Sequence, residues 1–155
     1  PRPFEKMTVY ENVLVGLVYG GSISEKLARV EAYEIIKNNG LFEKQSQLAG
    51  SLSVLDRKRL ELARALATKP KLLLLDEVAA GLTEAEVEVV LEMVKQIKKE
   101  GISIIWIEHI LSTMRKAADR ILCMAMGEKI ALGEPMEVLC AKEVEETYIG
   151  VESFE

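Results

Sequence analysis

The sequence predicts an α/β fold in which helices flank a parallel sheet and an all-helical subdomain comes first. Three observations support this prediction. Two helical patterns occupy the N-terminal part, two short apolar runs at residues 71–76 and 102–107 resemble strands, and an amphipathic helix separates these runs. Strands that alternate with helices form parallel βαβ units, and ligands bind beyond the carboxyl ends of such strands. The polar residues directly after the two runs are therefore the candidates for a site.

The N-terminal helices are marked by their end signals. Thr8 with Glu11 forms a capping box, and Gly20-Gly21 stops the first helix. The second helix is predicted over residues 24–38, before another glycine. Its apolar residues recur at helical spacing, namely Leu27, Val30, Tyr33 and Ile36.

The α/β part opens with a third helix over residues 54–68, which is basic at first and stops before a proline. The apolar run at 71–76 ends on an acid, which is typical of a strand buried on both faces. A second capping box, Thr83 with Glu86, starts an amphipathic helix that Gly101 closes. The elements predicted after it are a second buried strand over residues 102–107, a short helix at about 112–118, a hairpin of 120–126 and 129–132 across Gly127-Glu128, and helical turns after Pro135 that end near Gly150.

Composition excludes several classes of protein. The 155 residues are 49% hydrophobic and 29% charged, which excludes a disordered chain. A net charge of −5 without a basic block disfavours nucleic acid and anionic membrane surfaces as partners. Cys123 and Cys140 predict a reduced, cytoplasmic protein rather than a disulfide framework. One histidine and two cysteines are too few for a zinc cage, and the apolar stretches fall short of the roughly 20 residues that span a bilayer.

Asp76 and Glu77 directly follow the leucines of the first predicted strand. Acids at the end of a buried strand are costly unless they bind a ligand or pair with a cation. The first acid suits Mg²⁺, bound directly or through water, and the second suits a general base that polarises an attacking water. The alternative is an acid that caps the next helix, and these two residues alone leave both possibilities open.

His109 and Ser53 are two further candidates. His109, the only histidine, follows the second predicted strand, where a neutral imidazole could contact a phosphate oxygen and orient the water held by Glu77. The alternative is a solvated or structural histidine, with Glu108 as its neighbour only. Ser53 begins a helix, and its hydroxyl with the free backbone N–H groups could bind an anion, although this residue alone favours a simple N-cap.

These pieces, in this order, resemble the nucleotide-binding subunits of ABC transporters. Residues 48–67 with 70–77 resemble the signature segment and the Walker B strand of that family. Residues 79–83 resemble its D-loop, and residues 107–109 its switch strand, or H-loop. Residues 4–13 resemble the stretch that opens its helical subdomain. Within the family the likeness is greatest to the ATPases of branched-chain amino acid importers, on residues 7–9, 11–13, 79–82, 133–135 and 148–150.

The resemblance implies a fold and a set of partners. The fold would be an incomplete P-loop NTPase-type parallel sheet flanked by helices. A helical, signature-bearing subdomain would cover residues 1–50 and continue to about 68, and residues 69–155 would form the C-terminal half of the ATPase core. The partners would be transmembrane permease subunits and a second ATP-binding subunit, with no nucleic acid. The protein would be cytoplasmic and peripheral on the inner face of the cell membrane.

The resemblance also implies roles for the candidate residues, with ATP and Mg²⁺ as cofactors. Asp76 would serve Mg²⁺, and Glu77 would be the hydrolytic base. His109 would sense the γ-phosphate. Ser53 would touch the γ-phosphate of ATP that an opposing subunit holds.

The chain departs from the family at the phosphate-binding loop, Gly-x-x-x-x-Gly-Lys-[Ser/Thr]. Only Gly16 and Gly21 have the required spacing, and Ser22-Ile23 follow where Lys-[Ser/Thr] should stand. The two segments that stack adenine and the Q-loop Gln are absent as well. We therefore expect either the C-terminal part of a larger subunit or a truncated gene product, which alone neither binds ATP tightly nor hydrolyses it.

The signature segment departs from the family too. Leu55 and Asp56 stand where the family normally has Gly and Gln, and both changes are expected to weaken contact with a phosphate in the opposing site. Val78 replaces the family's Pro, and Thr83 stands where many members have Asp.

Two functions from different classes fit these residues. The first is an ATP-binding and ATP-hydrolysing part of an ABC transporter, which would energise amino acid uptake. The second is a non-catalytic ABC-like interaction or regulatory module that docks on a partner subunit, which the altered signature favours. A third function, an ABC ATPase that acts on nucleic acid or ribosomes, is disfavoured by the net charge of −5.

Overall fold

The computed structural model describes residues 2–149, which divide into two compact units, residues 2–107 and residues 108–149. The boundary predicted near residue 68, between the helical subdomain and the ATPase core, stays a prediction. No helix within the described range is long and apolar enough to cross a bilayer.

The helices are α1 (Val9–Val15, continued by a π-helical turn at Gly16–Gly20), α2 (Glu25–Asn38), α3 (Val54–Ala67), α4 (Glu84–Lys99), α5 (Leu111–Ala117), α6 (Pro135–Leu139) and α7 (Lys142–Val144, continued by a π-helical turn at Glu145–Ile149). Single 3-10 turns lie at Phe42–Lys44 and Ala49–Ser51, and the strands are β1 (Leu72–Asp76), β2 (Ser103–Ile107), β3 (Ile121–Ala125) and β4 (Glu128–Gly133).

Both predicted capping boxes are confirmed. The Thr8 hydroxyl accepts a hydrogen bond from the Glu11 N–H at 3.1 Å, and the Glu11 carboxylate accepts the Thr8 N–H at 2.7 Å. Thr83 and Glu86 make the same reciprocal pair at the start of α4. These bonds satisfy backbone N–H groups that a helix leaves unpaired at its first turn, so α1 and α4 begin where the sequence predicts.

The spacing of Gly16 and Gly21 is explained by helix packing. Both residues lie against α3, and a Cβ on Gly16 would stand 2.8 Å from the Arg64 carbonyl oxygen. A Cβ on Gly21 would stand 2.8 Å from the Ala67 carbonyl oxygen. Only glycine permits this close approach of two backbones, so these residues serve the contact with α3.

The buried face of α2 differs from its apolar pattern. Ala28, Ala32 and Ile36 are fully buried, whereas Leu27 is 62% exposed and Val30 is 70% exposed. Helix formation over this segment is confirmed, but three of its four periodic apolar residues, Leu27, Val30 and Tyr33, lie at the surface. Small alanines allow α2 to pack closely on its neighbours, and this geometry decides which face is buried. The first core that results consists of Val9, Val13, Leu17, Ala28, Ala32, Ile36, Leu41, Ala49, Leu52, Leu60, Ala63 and Ala67.

The predicted parallel pairing of the two apolar strands is confirmed. β1 lies beside β2 in parallel, with Leu72 opposite Ser103 and Asp76 opposite Ile107. Leu73 and Leu75 are buried in a second core with residues of α3 and α4. The carboxyl ends of the two strands therefore meet at one edge, directly before Glu77.

The prediction that both strands are buried on both faces is wrong. Leu72, Leu74, Ile105 and Ile107 are all exposed, and Leu74 and Ile107 are 69% and 63% accessible. Alternate residues of a strand point to opposite faces, and α3 and α4 cover only one face of this sheet.

The second unit contains the predicted hairpin. β3 pairs with β4 in antiparallel fashion, and Cys123 packs with Val138 and Val144 from the two following helices. The strands are joined at Met126 and Gly127, which have φ of +50° and +82°, one residue earlier than predicted. Within residues 2–149 β3 pairs with β4 alone, because a short turn favours the local antiparallel partner. The predicted end of the last helix near Gly150 lies outside the described residues.

Candidate functional site

Asp76 and Glu77 lie at the carboxyl end of β1, as predicted. Asp76 is the last residue of the strand and is exposed. Glu77 has a left-handed backbone with φ of +47°, and its N–H donates to the Ile107 carbonyl oxygen at 2.9 Å. Non-glycine residues rarely adopt this conformation, which costs free energy on the order of 1 kcal/mol or more. The contact with β2 holds the turn in place, so the two acids leave the sheet at a defined point.

Lys58 connects α3 to this turn. Its Nζ donates to the Glu77 carbonyl oxygen at 3.4 Å, and the Ala80 N–H donates to the same oxygen at 3.1 Å. The sequence shows only that the start of α3 is basic, and nothing in the pattern singles out Lys58. The contact places the beginning of α3 next to the acids at the end of β1.

Ser53 is the N-cap of α3, and a buried carboxylate engages its hydroxyl. The Ser53 Oγ accepts the Asp56 N–H at 3.2 Å and donates to Asp56 Oδ2 at 2.9 Å. Asp56 is only 3% exposed. Its carboxylate also accepts hydrogen bonds from Lys44 Nζ and, at 3.1 Å, from Arg59 Nη1. We call Ser53, Asp56, Lys44 and Arg59 the Asp56 cluster.

The Asp56 carboxylate is held in its charged form. Burial acts to raise its pKa, but hydrogen bonds from Lys44, Ser53 and Arg59 outweigh burial and hold the pKa below its usual value of 3.8. The sequence pattern did not identify Lys44 and Arg59 as partners of Asp56. The (i, i+3) spacing of Asp56 and Arg59 on α3 could have indicated their ion pair. Lys44 precedes the helix, and no sequence pattern connects it with Asp56.

The Asp56 cluster makes stability depend on pH in a definite direction. A carboxyl group with a lowered folded-state pKa stabilises the fold above its unfolded-state pKa, and this contribution is lost as pH falls through the folded-state pKa. We expect the urea midpoint of the chain to fall on acidification below about pH 4, and Asp56→Asn to remove part of that dependence. Glu34→Gln, on the exposed surface of α2, is the charge-matched control. An identical acid dependence in Asp56→Asn and the unmodified chain would contradict the prediction.

The other unusual residues near the site have packing roles. Leu55, where the family normally has Gly, is partly buried and packs against the second core with Leu62 and Val78. Val78 itself is 6% exposed. Removal of either side chain would leave a space in this core, so both replacements are accommodated by the structure.

His109 follows β2 by two residues and lies in the second compact unit. Its imidazole is exposed, and its Nδ1 lies 3.8 Å from Glu108 Oε2. The His109 N–H donates to the same oxygen at 3.2 Å, and the Glu108 side chain is fully buried. Glu108 therefore contacts His109 directly. The sequence indicated only that the two residues are neighbours.

The structure brings some predicted site residues together. Asp76 and Glu77 are adjacent, and Lys58 links their turn to the helix that Ser53 caps. The meeting of His109 with these residues at one phosphate stays a prediction.

The exposed carboxylate of Asp76 is chemically suited to a Mg²⁺ ion held through water. Within residues 2–149 the Asp76 carboxylate has no hydrogen-bond or ion-pair partner, so it can accept a metal-bound water. Groups of three or more clustered metal-binding side chains are absent from the same residues. Gly16 and Gly21, the one pair with the spacing of a phosphate loop, are occupied by packing on α3.

Comparison with known proteins shows the family. The sequence profile of the family described as ABC transporter matches residues 1–80 of the chain. The chain therefore belongs to the ABC transporter family, as an ATP-binding domain. A solved ATP-binding cassette of an ABC transporter in its ADP conformation matches it with a TM-score of 0.84 and 31% identity, over 97% of this chain and 65% of that chain. The fold is thus that of P-loop NTPases.

Two curated relatives differ in the transport they serve. The probable branched-chain amino acid transport ATP-binding protein LivG of Archaeoglobus fulgidus is 34% identical over 169 aligned positions, which cover 100% of the chain and 65% of the relative. The lipopolysaccharide export system ATP-binding protein LptB of Haemophilus influenzae is 29% identical over 147 residues, which cover 95% of the chain and 61% of the relative. The chain thus spans less than two thirds of the length of these relatives.

Proposed function

We propose that the chain is part of an ATP-binding and ATP-hydrolysing subunit of an ABC transporter that energises amino acid uptake. The observation that carries this proposal is the pair of acids at the end of β1, where Asp76 lies opposite Ile107 of β2 and the Glu77 N–H donates to the Ile107 carbonyl oxygen. The identity to LivG, which is named for branched-chain amino acid transport, supports the choice of solute. A second relative, the arginine transport ATP-binding protein ArtM of Bacillus subtilis, at 31% identity, supports it as well.

Each candidate residue has a role that its chemistry suits. ATP with Mg²⁺ supplies the phosphoryl group to be hydrolysed. Asp76, exposed at the end of β1, would hold the metal through water. Glu77 would accept a proton from the attacking water. His109 would contact a terminal phosphate oxygen, and Ser53 would face a phosphate held by a second ATP-binding subunit.

The proposed partners follow from the family. Transmembrane permease subunits would receive the helical part of the chain, and a second ATP-binding subunit, the same or different, would complete the nucleotide site. The subunit would act at the cytoplasmic face of the membrane, as a peripheral protein.

The proposal is tested by restoring the phosphate loop. Residues 1–155 are joined behind an N-terminal segment of an ABC transporter ATPase that carries this loop, which gives the completed domain. We expect calorimetry to detect no micromolar Mg·ATP binding by the 155 residues alone, and to detect such binding by the completed domain together with Mg²⁺-dependent release of phosphate. Tight binding by the short chain would overturn the expectation of inactivity. A folded completed domain that binds no ATP would overturn the proposed function.

A second function is favoured by one observation. Asp56 and Leu55, at the two unusual signature positions, are engaged inside the chain, as expected of a non-catalytic module that docks on a partner subunit. The same experiment separates the two functions, because such a module would leave the completed domain without ATP hydrolysis even when ATP binds.

A further inference from the structure

The Asp56 cluster contains more donors than a simple helix cap requires. A plain N-cap needs only the Ser53 oxygen and one backbone N–H, and that bond is present at 3.2 Å. The Asp56 carboxylate adds a hydrogen bond from the Ser53 hydroxyl and contacts with two cations, Lys44 and Arg59. Neither the cap nor the proposed hydrolysis uses these extra contacts.

The hydroxyl of Ser53 has no second proton to give. A serine hydroxyl carries one proton and two acceptor sites. In this structure the proton is donated to Asp56 Oδ2 at 2.9 Å, and the oxygen accepts the Asp56 N–H. A phosphate oxygen accepts hydrogen bonds and cannot donate one when it is ionised. It could bind this hydroxyl only if the proton turned away from Asp56.

The charges of the cluster also make Asp56 a competitor of any phosphate that approaches the start of α3. Lys44 and Arg59 carry two positive charges, and the buried Asp56 carboxylate offsets one of them. A carboxylate and a phosphate seek the same donors, namely hydroxyl, ammonium and guanidinium groups. The protein's own anion therefore occupies donors at the start of α3 that an external anion would otherwise use.

We propose that Asp56 is a positioning residue that keeps the Ser53 hydroxyl turned into the chain and so withholds it from a phosphate. Loss of the carboxylate would free the Ser53 hydroxyl to donate its hydrogen bond elsewhere, and it would leave Lys44 and Arg59 without their anion. Phosphate affinity at the start of α3 would then rise. The inference rests on the proposed function only for the statement that the phosphate belongs to ATP; the competition between Asp56 and an anion follows from the contacts.

The test uses the 155-residue chain and inorganic phosphate. Backbone amide NMR signals of residues 53–56 are followed during phosphate titrations at constant ionic strength, with sodium chloride as the balancing salt. We expect Asp56→Asn to bind phosphate at least about tenfold more tightly than the unmodified chain, the factor that one charge-assisted hydrogen bond provides. In Asp56→Asn/Ser53→Ala this gain should shrink, because the released hydroxyl is then absent.

Two controls separate positioning from general charge and from unfolding. Glu92→Gln removes the carboxylate that pairs with Lys95 at 2.6 Å on the surface of α4, and it should produce no gain at residues 53–56. Circular dichroism establishes that each variant is folded, and Asp56→Gln replaces Asp56→Asn if the latter unfolds. A folded Asp56 variant with unchanged phosphate affinity would overturn the inference, and so would a gain that Ser53→Ala does not reduce.

The phosphate titration tests the inference about Asp56, and the ATPase assay of the completed domain tests the proposed function. A phosphate gain in Asp56→Asn with an inactive completed domain would leave the inference standing and remove the proposed function. If the completed domain hydrolyses ATP but Asp56→Asn does not raise the phosphate affinity of the 155-residue chain, the inference alone is overturned.

Discussion

Replacement of Glu77 by glutamine in the completed domain is expected to lower ATP hydrolysis by about 10²- to 10⁴-fold, the range that a positioned general base contributes. Glutamine has nearly the same shape as glutamate but cannot accept the proton of the attacking water at neutral pH. The left-handed turn at Glu77 is held by backbone hydrogen bonds to Ile107 and Ala80, which the substitution leaves in place. ATP affinity should therefore stay within a few-fold of the original. Phosphate release measures the rate, and calorimetry measures binding.

Glu34→Gln is the matched control for this substitution. Glu34 is exposed on α2, and its change also removes one negative charge from the chain. Its effect on hydrolysis should be less than twofold, well within the scatter of surface substitutions. Hydrolysis that survives Glu77→Gln at more than a tenth of the original rate would exclude Glu77 as the base. That result would leave the proposed binding of ATP untouched.

The second large effect is expected in the stability of the helical core. Ile36→Ala should lower the free energy of unfolding by about 2–5 kcal/mol, the usual cost of truncating a fully buried isoleucine. Ile36 is 0% exposed and lies with Ala28 and Ala32 on the packed side of α2. Urea unfolding followed by circular dichroism gives the change, as a shift in the midpoint at constant slope.

Leu27→Ala is the control from the same helix. Leu27 has the same side-chain composition as Ile36 but is 62% exposed, and leucine and alanine have similar helix propensities. Its effect should stay within about 0.5 kcal/mol, as for most surface substitutions. Equal costs for the two substitutions would mean that α2 packs through the face marked by its large apolar residues rather than through its alanines.

The elements predicted correctly are those whose signals are local. Thr8 with Glu11, and Thr83 with Glu86, are three residues apart, and each pair satisfies its own helix end without help from the rest of the chain. The acids after β1 were predictable for a similar reason, because a strand that ends on Asp76-Glu77 delivers them to the sheet edge wherever the strand lies. The parallel pairing of β1 with β2 followed from the helix between them.

The elements predicted incorrectly depend on contacts that the sequence does not order. The periodic residues of α2 indicated a helix, but its packed side is set by how closely the alanines let the helix approach its neighbours. The leucines of β1 indicated burial on both faces, yet burial requires an element on each face, and only one face is covered by α3 and α4. The expectation that Asp56 weakens contact with a phosphate stays a prediction, but its ion pair with Lys44, which lies 12 residues earlier in the chain, could not be read from the sequence.

The sequence by itself determined the order of the helices and strands, where α1 and α4 begin, that Asp76 and Glu77 stand at the end of β1, and the family to which such an order belongs. Only the tertiary structure decided which side of α2 is packed, which face of the sheet is exposed, and that Asp56 accepts a hydrogen bond from Lys44 as well as from Ser53. The physical reason is the range of the interactions. Caps and turns are completed within a few residues, whereas packing and buried ion pairs join groups that come together only after the chain has folded.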